Sequence, residues 1–267
     1  MNYSYEFTDT LLSVQGVSLN LGGKEILRDV NLEIKDIRRP DTKQGQVVGL
    51  LGPSGIGKTQ LFRIISGLNK PDSGNVLVGA DQRPVQKGDV GVVAQNYPLF
   101  QHRTVYSNVL IASGGNVEKT NALLEQFGLA EHSKKYPAQL SGGQRQRAAI
   151  AQQFACSEHL LLMDEPFSGL DCIALRKVSE FINNIASNDD LATIIIVTHD
   201  VSAALSVCDT ILLLGRDRNE AGEIIPGARV QSVYNLIDAG LAWREGIENS
   251  PQFFTMLNEV RDKFAIL

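Results

Sequence analysis

A glycine-rich stretch, GPSGIGKT at residues 52–59, constrains the fold of this chain more than any other feature of the sequence. It fits the pattern G-x-x-x-x-G-K-[ST], which follows a β-strand and opens an α-helix. The apolar run VVGLL stands directly before it, and Leu61, Ile64 and Ile65 follow at helical spacing. The sequence therefore predicts a buried strand, a tight loop and a helix, in that order.

The residue types of this loop suit a bound phosphate. Glycine accepts positive φ at little cost, so that successive N–H groups can point at an anion near a helix N-terminus. Lys58 is expected to reach the outer phosphates of a nucleotide, and the Thr59 hydroxyl to bind Mg²⁺. The alternative is a turn whose glycines serve only the backbone. The predicted nucleotide-contacting residues are Gly52, Pro53, Ser54, Gly55, Ile56, Gly57, Lys58, Thr59 and Gln60.

Composition excludes several other classes of protein. Of 267 residues, 43% are hydrophobic and 21% charged, which is typical of a globular protein with a substantial core. The net charge of −5 argues against a nucleic-acid partner bound through bulk charge. Three cysteines without a C-x-x-C pair predict neither a disulfide framework nor a zinc site. No signal peptide and no apolar run of membrane-spanning length is evident, so any membrane role is expected to come through a partner.

Short strands alternate with helices along the chain, which predicts a parallel α/β sheet. An antiparallel pair is predicted first, at residues 11–19 and 26–34 around a GGK turn, and residues 36–44 are predicted to be a surface loop. Further strands are predicted at residues 47–51, 76–78, 91–94, 160–163, 193–200 and 211–214, and helices at residues 59–68, 116–128, 140–155 and 175–185.

The end of the chain predicts one more helix, capped by Ser250 with Pro251 in its first position. An apolar stripe on this helix is expected to lie against the domain's own core, although a contact with another subunit is the alternative. The stripe comprises Phe253, Phe254, Leu257, Val260 and Phe264.

Polar residues follow three of the predicted parallel strands, at the edge where such sheets bind ligands. Asp164 is predicted to hold Mg²⁺ and Glu165 to polarise the attacking water. His199 is predicted to contact a γ-phosphate, and Gln95 to reach the metal or the water. Solvated acids and a structural histidine are the simpler alternatives.

The segment LSGGQ at residues 140–144 predicts a second anion site. It places a hydroxyl and two glycine N–H groups at a helix start, in Ser141, Gly142, Gly143 and Gln144. An ordinary helix cap would use the same residues.

Taken together, these motifs resemble those of the nucleotide-binding subunit of ATP-binding cassette (ABC) transporters, over about residues 11–215. The resemblance implies a P-loop NTPase fold: a RecA-like parallel sheet core, an N-terminal antiparallel β subdomain and a helical subdomain inserted at about residues 96–156. The ATPase domain would occupy residues 1–215, with a C-terminal extension at 216–267. By this resemblance, residues 52–59 would be Walker A and Gln95 the Q-loop. LSGGQ would be the signature, and LLLMDEP would be Walker B with Glu165 as the catalytic residue. Asp171 would be part of the D-loop, and His199 would be the switch histidine.

The same resemblance implies partners and a mechanism. Two copies would meet head to tail as a homodimer, with ATP and Mg²⁺ between Walker A of one copy and Ser141 to Gln144 and Asp171 of the other. Closure and reopening would drive a membrane permease from the cytoplasmic face of the inner membrane. The motifs look nearest to nitrate, sulfonate or taurine importers, which also use a substrate-binding protein.

Alternatives of three kinds remain at this point. An exporter ATPase is one, and a soluble ATPase of DNA repair or translation is another, although one cassette without a coiled coil speaks against it. A phosphate-loop kinase or GTPase would leave LSGGQ and His199 without a role. Three departures from the family also stand out. Leu21 lies where many members have an adenine-stacking aromatic, for which Tyr3 or Tyr5 could substitute, and Gln60 replaces a hydroxyl residue. Residues 36–44 look longer than the family's tight turn before the phosphate loop and are interpreted as a surface insertion.

Overall fold

The computed structural model describes residues 5–38, 45–156, 160–168, 175–176, 178–180, 182–183, 193–242 and 246–267. Within them the strands form one sheet in the order β5-β4-β1-β2-β10-β9-β3-β8-β7-β6. The strands are β1 (Glu6–Leu21), β2 (Lys24–Arg38), β3 (Gln46–Leu51), β4 (Ser73–Val78), β5 (Arg83–Pro84), β6 (Gly91–Val93), β7 (Leu160–Asp164), β8 (Thr193–Thr198), β9 (Thr210–Arg218) and β10 (Ile224–Asn235).

Helices cover the faces of this sheet. Residues 175–176, 178–180 and 182–183 are also helical, as the sequence predicts, and Val178 and Ile182 are buried there. The complete helices are α1 (Lys58–Ile65), α2 (Val105–Ala112), α3 (Val117–Gln126), α4 (Gly142–Cys156), α5 (Val201–Val207) and α6 (Pro251–Ala265), with short 3₁₀ turns at Ala130–His132, Pro137–Gln139 and Ile247–Asn249.

The parallel half of the sheet confirms the predicted α/β core. β3 pairs in parallel with β8 and β9, and β7 with β6 and β8. Every residue of β3 and β8 is buried, because helices cover both faces. Alternate residues of these strands enter two cores, one with α1 and one with α2 to α6. The carboxyl ends of β6, β7, β8 and β3 therefore share one edge.

The antiparallel half confirms the predicted N-terminal pair, with a turn at Gly22 and Gly23. β1 also pairs with β4. β10, which the sequence analysis did not predict, lies between β2 and β9 and joins the two halves. It runs antiparallel to β9 and meets β2 in parallel at Ala228 and Leu27.

Two local predictions were wrong, and a third was confirmed. Residues 36–38 are not a loop but the end of β2, because Ile37 enters the core; residues 39–44 lie outside the described part of the chain. In α6, Phe253, Leu257 and Val260 are buried, but Phe254 is 54% exposed. It stands about 100° around the helix axis from Phe253, outside the buried stripe. The predicted Ser250 cap is confirmed: its side chain accepts a hydrogen bond from Phe253 N.

Residues 105–156 are mostly helical, as predicted. Asn116 caps α3 by accepting a bond from Lys119 N, and Thr104 caps the unpredicted helix α2. α4 begins at Gly142, so that the two signature glycines lie inside its first turn rather than before it. None of the described helices is both long enough and apolar enough to cross a membrane.

Candidate functional site

The glycine-rich loop joins β3 to α1 and is held tightly against neighbouring strands. A Cβ at Gly52 would stand 2.6 Å from the carbonyl oxygen of Leu214 in β9. Gly57 has φ 115° and approaches Ile26 of β2, to which a Cβ would come within 3.0 Å. Only glycine fits both places, because one lacks space and the other has a left-handed backbone. The sequence pattern thus reflects real steric limits.

Lys58 is folded back into this loop. Its Nζ donates to the carbonyl oxygens of Gly52 at 2.7 Å and Pro53 at 3.1 Å, and the residue is buried. Burial lowers the pKa of Lys58, while the nearby carboxylates of Glu165 and Asp164 raise it in part. The ammonium group therefore stands at the base of the loop, close to both acids.

Of the other predicted loop residues, some present side chains and others only backbone. Ile56 is buried in the core, so that only its backbone faces the loop. Ser54, Gly55 and Thr59 are exposed, and Gln60 is half-buried. The Thr59 hydroxyl, in the first turn of α1, is therefore accessible to a ligand.

Glu165 stands at the end of β7 in a strained conformation. Its φ is 48°, in the left-handed region that non-glycine residues seldom adopt. Its N–H donates to the carbonyl oxygen of Val197 in β8 at 2.8 Å, which ties the turn to the neighbouring strand. Backbone strain of this kind clusters at functional sites.

The Glu165 carboxylate is held by two groups from the end of β8. His199 Nδ1 lies 2.8 Å from Oε1, and Thr198 Oγ1 donates to Oε2 at 3.1 Å. An ionised carboxylate can only accept, so that His199 carries a proton on Nδ1. Thr198 also accepts from Asp200 N at 3.1 Å. The structure thus joins the predicted acid and the predicted histidine in one cluster.

Asp164 lies beside this cluster as the last residue of β7. Burial and the Glu165 charge raise its pKa, while Lys58 and Arg63 lower it in part. Among the described residues no group of three or more His, Cys, Asp or Glu side chains could hold a metal alone. The oxygen donors of Thr59, Asp164 and Gln95 match what Mg²⁺ prefers when phosphates supply its other ligands.

Gln95 follows the end of β6, and its side chain is exposed. Since β6 pairs with β7, Gln95 lies on the same sheet edge as Asp164. The next turn contains Tyr97, whose φ is 47° and whose hydroxyl lies 3.5 Å from the carbonyl oxygen of Pro166.

The signature segment is bonded to the helical region instead of to the phosphate loop. Ser141 Oγ accepts from Gln144 N at 3.3 Å, and Ser141 N donates to Gln144 Oε1 at 3.0 Å. Ser141, Gly142 and Gly143 are exposed. The chain thus presents this second N–H cluster outward. Asp171, the remaining predicted contact, lies outside the described residues.

The suggestion that Tyr5 replaces an adenine-stacking aromatic is wrong. Leu21 lies beside the turn at the start of β2, the end that approaches Gly57. Tyr5 precedes the opposite end of β1, where Glu6 pairs with Arg38, and its hydroxyl bonds to Asp238 at 2.7 Å. A 16-residue strand is about 50 Å long, which puts Tyr5 far from the loop. Tyr3 lies outside the described residues.

Comparison with known proteins agrees with this geometry. Residues 38–168 match the family model of the ABC transporter. The "Sulfate/thiosulfate import ATP-binding protein CysA" of Gloeobacter violaceus is 38% identical over 92% of this chain and 72% of its own length. A probable protein of the same name from Chlorella vulgaris is 40% identical over 79% of this chain and 88% of its own length. The chain belongs to the ABC transporter ATP-binding family. It is therefore an ATP-binding subunit and an ATPase.

A solved structure supports the same fold for this ABC ATPase. The cbiO1 protein of Clostridium perfringens, described as part of the ABC transporter complex cbiONQ, superposes with a TM-score of 0.71 at 25% identity. The match covers 96% of this chain and the whole of that one. The predicted P-loop NTPase fold, with its mixed sheet, is thereby confirmed.

Two residues that contact predicted site residues escaped the sequence analysis. Thr198 holds both Glu165 and the backbone before α5, and its place directly before His199 could have indicated it. His132, whose Nε2 lies 2.9 Å from Gln144 Nε2, comes twelve residues earlier and belongs to no motif. Only the folded helical region brings it to the signature.

Proposed function

We propose that this ABC ATPase subunit hydrolyses ATP at the carboxyl edge of its parallel sheet and thereby drives a separate membrane permease. The observation that carries the proposal is the convergence of the Lys58 ammonium, the paired acids of β7 and the Glu165–His199 contact at one edge. A cation under a glycine loop fits a polyphosphate, and an oriented carboxylate fits a water nucleophile.

Each side chain has a distinct task in this scheme. Lys58 neutralises charge on the outer phosphates, and the glycine N–H groups hold the oxygens between them. Glu165 orients the attacking water, since its carboxylate is fixed by Thr198 and His199. With Nδ1–H directed at Glu165, the remaining nitrogen of His199 donates to phosphate only when the ring carries both protons. His199 and Glu165 therefore act as one unit.

Thr59, Asp164 and Gln95 would hold Mg²⁺ with the phosphates. The ion, when bound, would neutralise phosphate charge. Burial and then the neighbouring Glu165 charge raise the pKa of Asp164, and a bound cation would offset both effects.

The outward-facing signature supports a second copy of the chain as partner. Ser141, Gly142 and Gly143 present a hydroxyl and N–H groups at the start of the 15-residue helix α4, and within the described ranges they make no hydrogen bond to the phosphate loop. We propose that they, with Asp171, contact ATP held by the partner copy of a head-to-tail homodimer. The subunit would then sit on the cytoplasmic face of the membrane, beside its permease.

Import is the direction that the relatives favour. Two organisms' proteins named for sulfate/thiosulfate import match over most of this chain. We therefore propose import of a sulfur oxyanion through a permease, assisted by a substrate-binding protein. These relatives do not support the nitrate, sulfonate or taurine type that the motifs alone suggested.

Replacing Glu165 tests the hydrolytic role. Glu165→Gln keeps groups that can bond to Thr198 and His199 but removes the charge. Hydrolysis is expected to fall by about a hundredfold or more, with ATP binding retained and an ATP-bound dimer accumulating in size-exclusion chromatography. Lys58→Ala should lose turnover as well. Glu118→Gln, on the exposed face of α3, is the matched control. Wild-type turnover in Glu165→Gln would contradict the assignment.

Affinity purification tests the partner. The tagged subunit, extracted gently from native membranes, is expected to bring a multi-span permease in equal amount. Cells lacking the subunit should lose uptake of labelled sulfate, and a Lys58→Ala copy should not restore it. Recovery with nucleic acid alone, or loss of efflux in place of uptake, would contradict the import proposal.

A further inference from the structure

The signature helix start is built as a reciprocal cap. Ser141 accepts from the N–H of Gln144 through its hydroxyl oxygen, and Gln144 accepts from the N–H of Ser141 through Oε1. This is the capping-box arrangement, in which two orphan donors satisfy each other. With its oxygen already accepting, the Ser141 hydroxyl keeps its proton free to donate outward. The Gln144 side chain thus holds the backbone of Ser141, while the Gln144 backbone N–H holds the Ser141 hydroxyl oxygen.

The same Gln144 side chain has a second partner that lies outside the motif. Its Nε2 is 2.9 Å from His132 Nε2. Since Gln144 Oε1 already accepts from Ser141, Nε2 is the donor, and His132 Nε2 must accept. The ring proton is then on Nδ1, which is buried and has no hydrogen-bond partner among the described residues. A buried donor without a partner costs free energy, so that the surroundings of the ring, and not a hydrogen bond at Nδ1, keep it in this orientation.

The ring is anchored to the core of the helical region. His132 N donates to the carbonyl oxygen of Leu129 at 2.9 Å, and Leu129 N donates to Leu124 at 2.7 Å. Leu129 and Leu124 are buried. Arg145 adds a parallel tie, donating from Nη2 to the Pro137 carbonyl oxygen at 3.1 Å. Gln144 is thus fixed from one side by a rigid group and from the other by Ser141.

We propose that His132 is a positioning residue for the signature: by accepting a hydrogen bond from Gln144, it fixes the capping box and aims the Ser141 hydroxyl at the phosphate bound by the partner copy. The proposal rests on the role of Ser141 in the proposed function. His132 itself does not touch ATP. Its loss therefore lowers the rate of hydrolysis without weakening the binding of ATP to the phosphate loop of the same chain.

Two amide variants of His132 distinguish the effect of the acceptor's position from the effect of losing the imidazole side chain. His132→Gln places an amide oxygen at about the reach of Nε2, whereas His132→Asn falls one methylene short. In the assembled transporter, His132→Asn is expected to lower kcat about two- to tenfold, the value of one net hydrogen bond. His132→Gln should restore kcat to within about twofold of wild type. Kd for ATP, measured on the isolated subunit, should stay unchanged in both.

Two further measurements distinguish the possible failures. Amide hydrogen exchange at Ser141 should be faster in His132→Asn than in His132→Gln, a direct record of the cap. Ser141→Ala should lower kcat. If Ser141→Ala does so while both His132 variants keep wild-type kcat and exchange, the positioning role is overturned and the proposed function stands. If Ser141→Ala has no effect, the signature role itself fails and takes the inference with it. An equal loss of kcat in both His132 variants would also overturn it.

Discussion

Lys58 of the phosphate loop and Asp164 at the end of β7 interact electrostatically, and burial acts against the charge of each. Desolvation raises the pKa of Asp164 and lowers that of Lys58, while each opposes the other's shift. Their mutual attraction only partly offsets the loss of water. Both charges therefore stand where they cost stability, which agrees with the proposed binding of a polyphosphate and its cation at this place.

Removing the Asp164 charge should separate stability from activity. A carboxyl group with a raised folded-state pKa contributes stability when protonated, below about pH 4, and loses it as pH rises through the folded pKa. At pH 7 the ionised group is thus a net cost, and Asp164→Asn is expected to raise the unfolding free energy of the nucleotide-free protein. Urea denaturation should show that the stability gained by Asp164→Asn over the wild type is smaller at pH 5 than at pH 7. ATP hydrolysis should fall about a hundredfold. A less stable Asp164→Asn at pH 7 would contradict this account.

At the scale of elements, the loop between β6 and α2 depends on one buried amide. Asn108 of α2 is fully buried; its Oδ1 accepts from Phe100 N at 2.7 Å, and its Nδ2 donates to the Thr104 carbonyl oxygen at 2.9 Å. It also reaches the carbonyl oxygens of Phe100 and Arg103. A single side chain thus shapes the segment that follows Gln95.

Asn108→Leu, which keeps the branched shape at Cγ and removes the polar atoms, should reveal that dependence. Phe100 N–H and the carbonyl oxygens that Asn108 contacts would lose their partner, and the free energy of unfolding should fall by about 1–3 kcal/mol. Chemical denaturation measures it. Asn121→Leu, on the exposed face of α3, is the matched control and should change stability by less than about 0.5 kcal/mol. Equal stability of the two variants would contradict the assigned role.

In the last helix, α6, one face is expected to contribute to stability and the other is not. Leu257 is 6% exposed within the core, whereas Phe254 is 54% exposed on the same helix. Leu257→Ala should lower the free energy of unfolding by about 2–5 kcal/mol, and Phe254→Ala by less than about 0.5 kcal/mol. Thermal and urea denaturation of the full chain compare them. A large loss in Phe254→Ala would indicate that the exposed face is covered by a partner.

At the scale of the whole molecule, the sequence predicted the features that depend on local residue patterns. The phosphate loop, the buried parallel strands and the acids at their ends follow from spacing and residue type. β10 was not predicted because its buried and exposed residues do not alternate regularly, so that the sequence shows no strand periodicity there. His132 escaped because its partner lies across a fold that only tertiary packing creates. The strained backbone of Glu165 likewise has no signature in residue type.

The position of β10 also bears on how the chain is made. β10 ends at Asn235 yet lies in the middle of the sheet, between strands that begin at Lys24 and Thr210. At about 5–20 residues per second, a ribosome would have completed every catalytic motif before the strand that unites the two halves emerges. Until then the edges of β2 and β9 stay unpaired, and open strand edges invite other chains. The nascent protein thus contains all the sequence motifs while its sheet is still incomplete. The two halves of the sheet are joined only late in synthesis.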